Sequence, residues 1–135
     1  MKYWLIKSDP DTFSFHDMLK EKETQWDGVR NYAARNFLRE MKRGDTVLVY
    51  HSGGESKIMG LATVTAEHFP DPTADSDTWL AVKLKAGKLL KSPVDLSSIK
   101  KEPKLSEIPL IKISRLSVMP IEEKDFKLLL KMAGE

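Results

Sequence analysis

Apolar positions along the 135-residue chain follow two periods, and the period marks the elements. "KYWLIK" sets four apolar residues between two lysines, which predicts a strand over residues 2–7, and the turn-forming "SDPD" cluster ends it. Ser14 and Asp17 stand at capping-box spacing ahead of a brief helix reaching about Lys22. The clearest helix follows. Ala34, Phe37, Leu38 and Met41 recur at i, i+3, i+4 and i+7, Asn31 can cap the start, Lys42 and Arg43 suit the C-terminal dipole, and Gly44 can end it.

Strand periodicity then takes over. "DTVLVYHS" and "KIMGLATVTAEHF" read as a hairpin joined by "SGGES", and "TWLAVKLKA" alternates as a fourth strand after the loop "DPTADSD". "LLKSPVDLSSIKKEPKLSEIP" carries three of the seven prolines and reads as an irregular connection, with "LIKISRLSV" as a fifth strand. Over residues 120–132, Phe126, Leu129 and Leu130 keep helical spacing, with Glu122 and Glu123 early and Lys127 and Lys131 late, which predicts a closing helix. The sum is an α+β fold in one domain spanning residues 1–135, with about five strands in a mixed, curled sheet and helices after the first strand and at the end.

Composition narrows the class. Apolar residues at 41%, charged residues at 31% and a mean hydropathy of −0.38 describe a globular chain, and no apolar run approaches the roughly 18 residues of a membrane span. No membrane partner is expected. Charge returns at Lys7 before a signal peptide's apolar region could be completed, so the mature chain is expected to start near Met1. The absence of cysteine removes disulfides and thiolate chemistry and fits a cytoplasmic setting.

The three histidines never approach a metal-binding spacing, and no phosphate loop, dinucleotide fingerprint or nucleophile elbow is present, so neither metal nor cofactor is expected. A folded trio such as Asp27, His51 and a serine could do acid–base work, but turn and cap chemistry accounts for such residues more simply. With a net charge of only +2, any anion site must be local. Four of the five arginines, Arg30, Arg35, Arg39 and Arg43, fall within one 14-residue segment, and the fifth is Arg115.

Beside them stand Trp4, Trp26, Tyr32 and Tyr50. Aromatic rings with arginines suit a nucleobase, which stacks on the ring while its phosphate pairs with guanidinium. Trp4 sits on an alternating strand and reads as core, and Tyr50 can close the core at a strand end. Trp26 precedes "DGVRN" on a turn, next to a helix that already has its own apolar face, and so reads as part of a site. Arg35 and Arg39 are either solvated helix charges or, with Asn31 and Lys42, a polar stripe looking into a groove.

"YWLIKSDP", "WDGVRNYAARNFLREMKRGDTVLVYHS", "GLATVTAEHFPDPTA" and "SRLSVMP" occur in the order found in the EVE domain, and the chain resembles that family, within the PUA-like superfamily, over nearly its whole length. The resemblance implies a PUA-like pseudobarrel of five or six mixed strands with flanking helices, and a nucleic-acid-binding module whose pocket receives a modified, flipped-out base, a cytosine derivative, in DNA or RNA. Carried over by position, Lys7 and Ser8 would form the pocket rim and Trp26 the stacking ring. Val29, Arg30, Asn31, Tyr32 and Arg35 would form the wall, Tyr50, His51 and Ser52 the floor, and Arg115 with Ser117 the closing edge. Family members often have Glu where this chain has Asp9. The expected molecule is a monomeric, non-enzymatic reader. Its rivals are a small enzyme acting on a modified nucleoside, with Lys7 or His51 as base, as in the similar ASCH group; an RNA-modification-associated binding protein; and a protein-interaction adaptor.

Overall fold

In the computed structural model, which describes residues 1–135, strand β1 (Tyr3–Ser8) runs inside the molecule with Trp4, Leu5 and Ile6 all buried. Successive buried residues mean that both faces of the strand are covered. Its neighbours are β3 (Thr46–His51), parallel, and β6 (Val118–Ile121), antiparallel. Beyond β3 lie β4 (Lys57–Pro70), β5 (Leu80–Asp95) and β2 (Glu23–Trp26), each antiparallel to its neighbour, giving the order β2-β5-β4-β3-β1-β6. Helices α1 (Phe15–Glu21) and α2 (Tyr32–Glu40) sit in the crossover from β1 to β3, and α5 (Glu123–Met132) closes the chain.

The sheet curls because its two longest strands are irregularly paired. Four register shifts interrupt the β4–β5 ladder, and bulges of this kind bend and twist a strand pair. The edges β2 and β6 are not hydrogen-bonded to each other, so the result is an open pseudobarrel. The α+β, PUA-like expectation therefore holds, with six strands where periodicity counted five.

Three local readings need correction. Residues 23–26 form a strand, which places Trp26 opposite Val82 on β5 and not on a turn. "LLKSPVD" extends β5, and "LSSIKK" forms α3 (Leu96–Lys101), started by the Asp95 carboxylate accepting from the Ser98 N–H. Pro93 is tolerated there because β2 pairs with β5 only over residues 82–85, so the outer edge of that segment has no strand partner. The supposed strand "LIKISRLSV" is instead a short helix α4 (Pro109–Lys112), opened by proline at its first position, followed by a turn. The strand proper is β6, where Pro120 is allowed because β6 is the outermost strand.

Buried Asp45 ties the start of β1 to the end of α2. Its Oδ1 accepts the Lys2 N–H at 3.0 Å, and its Oδ2 accepts the Trp4 indole N–H at 2.9 Å and the Lys42 N–H at 3.0 Å. Burial pushes its carboxyl pKa up, but these bonds outweigh it and the net shift is downward. Asp45→Asn can keep the two donors at one oxygen position while setting an amide N–H against Lys2. A loss of about 1–2 kcal/mol in denaturant unfolding is expected; an unchanged midpoint would mean that solvent already serves these donors.

Candidate nucleic-acid interface

β1 and β2 are separated by three strands, yet both line one open hollow of about 480 Å³, which is possible only because the sheet curls back on itself. Lys7 and Ser8 come from the end of β1, Thr24 and Trp26 from β2, Thr12 and Phe13 from the loop between β1 and α1, and Glu21 from the end of α1. Asp9, Gln25 and Asp27 complete the lining. Thr24 and Trp26 lie opposite the buried Leu84 and Val82, so their side chains share the inner face of the curl. Trp26 is half-buried and meets the Phe13 ring edge-on, with centroids 6.2 Å apart and planes at 62°.

Local hydrogen bonds tie the loop wall together. The Asp9 carbonyl accepts from the Thr12 and Phe13 N–H groups at 3.0 and 2.8 Å, and the Ser8 hydroxyl donates to the Phe13 carbonyl. Ser14 and Asp17 form the reciprocal capping box their spacing suggested, which fixes the start of α1. Beneath the loop, buried His51 accepts the Phe15 N–H at its Nε2, 2.9 Å away. Nε2 therefore lacks a proton, and in the neutral ring Nδ1 carries it and donates to Glu55 Oε1 at 3.0 Å. The Ser52 N–H reaches the Ser8 carbonyl at 2.9 Å, and Tyr50 is buried beside Lys7 in the β1–β3 register. Tyr50, His51 and Ser52 thus stand behind the hollow as its support, outside the lining.

Lys7 is held at the mouth. Its ammonium donates to the Ser114 carbonyl at 2.7 Å and its backbone N–H to the Ser117 carbonyl at 2.9 Å, while burial pushes its pKa below the usual lysine range. Ser117 is therefore adjacent to Lys7, and Arg115 lies exposed in the same turn with no hydrogen bond.

The residues expected to form a wall beside Trp26 gather elsewhere. Val29 is core, and Asn31 caps α2 by accepting the Ala34 N–H at 2.9 Å. Arg30 pairs with Asp71 at 2.9 Å and reaches Thr73 at 3.2 Å. Arg35 donates to the Thr78 carbonyl at 3.0 Å and to Asn36. Between them Tyr32 and Trp79 lie with ring centroids 5.0 Å apart. No arginine lines the Trp26 hollow: Asp71 holds Arg30, while Tyr32 and Arg35 meet Trp79 and the Thr78 carbonyl in the loop before β5. Sequence reasoning missed Thr12, Phe13, Glu21, Thr24 and Gln25 as lining. The one available signal was the β-forming pair Thr24 and Trp26 in a short alternating run.

Residues 2–132 match the EVE domain profile. Mouse thymocyte nuclear protein 1 is 32% identical over 96% of the chain and 73% of its own length. A protein of Agrobacterium tumefaciens, solved by crystallography, superposes with a TM-score of 0.96 at 38% identity, covering 99% of this chain and 94% of that one. The crystal structure of the human thymocyte nuclear protein in complex with 5-methylcytosine-containing DNA superposes with a TM-score of 0.92 at 30% identity, covering 100% and 99% of the two chains.

Proposed function

The chain belongs to the EVE domain family, and from that premise we propose that it is a nucleic-acid-binding module that takes a modified, flipped-out base, a cytosine derivative, into the Trp26 hollow. The observation that carries this reading is the half-buried indole on the wall of a 480 Å³ opening, within the roughly 300–1,000 Å³ of small-ligand sites. The human relative's complex with 5-methylcytosine-containing DNA supports the ligand class and favours DNA over RNA. One face of a base can stack on Trp26 while its edge meets the polar lining and Lys7.

Flipping costs a few kcal/mol and least where pairing is weak, so binding favours unpaired or mismatched sites. Oligonucleotides bearing cytosine, 5-methylcytosine or 5-hydroxymethylcytosine, titrated against the protein, are expected to separate in affinity. Trp26→Ala is expected to weaken the best of them by about 5- to 150-fold, the equivalent of one lost base–aromatic stack of roughly 1–3 kcal/mol, with Trp26→Phe retaining most of it. Equal affinity for all three, untouched by the substitution, would discard the reading.

The role is one of binding without turnover, supported by the engagement of the candidate bases: His51 Nε2 by the Phe15 N–H and the Lys7 ammonium by the Ser114 carbonyl. One observation favours the enzymatic rival, namely a partly buried lysine lining the hollow, where burial pushes its pKa down. Chromatography of modified nucleosides incubated with the protein tests it, since any consumption of nucleoside would replace the reader with an enzyme.

A further inference from the structure

Outside the Trp26 hollow, one aromatic ring stays open to solvent. Tyr32 keeps 62% of its surface exposed and is the only ring among the large apolar side chains left exposed. It is nonetheless fixed in place. Trp79 lies at 5.0 Å with the planes inclined by 36°, the Arg35 guanidinium sits over Tyr32 at 5.2 Å, and Arg30 sits over Trp79 at 5.8 Å. Both arginines are held from behind, Arg30 by Asp71 and Thr73, and Arg35 by the Thr78 carbonyl and Asn36. A ring that is ordered and exposed has little conformational freedom left to lose when something binds it.

Charge says what binds. Tyr32, Arg35 and Arg39 recur at i, i+3 and i+7 and share one face of α2, about 10 Å along the helix axis. Neither Arg35 nor Arg39 has a carboxylate partner: Asp71 compensates Arg30, and Asp75 and Asp77 in the neighbouring loop reach none of the three. An exposed ring followed by two uncompensated guanidinium groups complements a base followed by phosphates. The cluster is tied to the hollow through Arg30, which sits over Trp79 and is three residues from Asp27 in the lining, their Cα atoms at most about 11 Å apart.

We infer that Tyr32, Trp79, Arg35 and Arg39 form a second nucleotide site that takes the unmodified nucleotide flanking the flipped base, with its base against Tyr32 and its phosphates against Arg35 and Arg39. This rests on the base reading above, which brings the strand to the hollow. The site makes the protein a reader of a short strand segment, with the modification in one place and its neighbour in another.

The test compares two probes, free 5-methyl-2′-deoxycytidine and a short single-stranded oligonucleotide containing one 5-methylcytosine. Tyr32→Ala is expected to weaken the oligonucleotide by about 5- to 150-fold and leave the nucleoside unchanged. Replacing Arg35 and Arg39 together by Gln is expected to reduce the slope of log affinity against log salt by about 1.4, roughly 0.7 for each phosphate contact on a single strand. Trp26→Ala should weaken both probes. Should Tyr32→Ala lose the fold in a thermal melt, Tyr32→Leu keeps apolar cover on Trp79 without the ring and reads the same comparison. Unchanged oligonucleotide affinity in the Tyr32 variant overturns the inference while leaving the base reading intact, and equal weakening of both probes overturns it by merging the face with the hollow. If Trp26→Ala spares both probes, the base reading falls separately, and the Tyr32 result on the oligonucleotide still decides whether this face binds a strand.

Discussion

Gly60→Ala is expected to lower unfolding stability by about 3 kcal/mol or more, whereas Gly54→Ala, six residues earlier, should stay within about 0.5 kcal/mol of the parent. Gly60 lies on β4 between two register shifts, opposite Leu89 of β5. A Cβ there would overlap the Phe15 ring and stand 2.7 Å from the Lys88 carbonyl oxygen. The ring is fully buried at the first position of α1 and cannot swing away, and the carbonyl belongs to the neighbouring strand backbone. Relief requires moving β5 or α1, and both carry or support the hollow. Gly54 has nothing within 4 Å of its added carbon and no left-handed backbone to strain. Both substitutions lower chain entropy in the unfolded state alike, so their difference isolates the overlap. Chemical denaturation of the two variants checks this, and equal midpoints would mean that the strands part without resistance.

β1, α2 and the β3–β4 hairpin were legible in the sequence because each carries its own signal: a run of β-formers, an apolar stripe with Asn31 as its cap, and two alternating runs around glycines. β2 was not legible. Its four residues, Glu23, Thr24, Gln25 and Trp26, have little strand signal of their own and become a strand because β5 presents a free edge to them. "LIKISRLSV" erred in the other direction, since alternation survives in a segment whose backbone is set by Pro109.

For the site, Trp26 stood out because no nearby element needed it, and it does line the hollow. The arginines lie outside the hollow's lining for a reason no local pattern contains. Arg30 is turned away by Asp71, 41 residues further along, and Arg35 by a carbonyl 43 residues further along. Trp79, which packs against Tyr32, sits at the end of a loop and at the start of an alternating strand, and nothing in its neighbourhood distinguishes it from core.

Asp71→Asn is expected to destabilise the protein by about 3 kcal/mol near neutral pH, and the gap from the parent should narrow as pH falls from about 5 to 2. The Asp71 side chain is wholly buried, and each oxygen accepts twice. Oδ2 takes the Gly28 N–H at 2.8 Å and the Arg30 guanidinium at 2.9 Å, while Oδ1 takes the Thr73 N–H at 2.7 Å and the Thr73 hydroxyl at 2.6 Å. Burial alone would raise its pKa. The bonds from Thr73, Gly28 and Arg30 win, and its carboxyl is held at about 2 against the ordinary 3.8. An asparagine satisfies one pair of donors and sets its own N–H against the other in either orientation. Because the folded pKa lies below the unfolded one, the charge contributes its full stabilisation above about pH 4, and this is lost as pH falls through the folded value. That amounts to about 2 kcal/mol from a shift of this size. The other carboxyls with lowered pKa values are present in both proteins, so they cancel in the comparison of melting temperatures across pH. A gap that stays constant down to pH 2 would contradict the ionised cage. The consequence reaches the site, because Asp71 is the anchor that holds Gly28 and Arg30, and with them the chain leaving Trp26, against the loop that carries Trp79. Loss of that anchor should weaken binding of a modified-cytosine oligonucleotide at neutral pH even where the variant remains folded, through a hollow and a flanking face no longer held at a fixed separation.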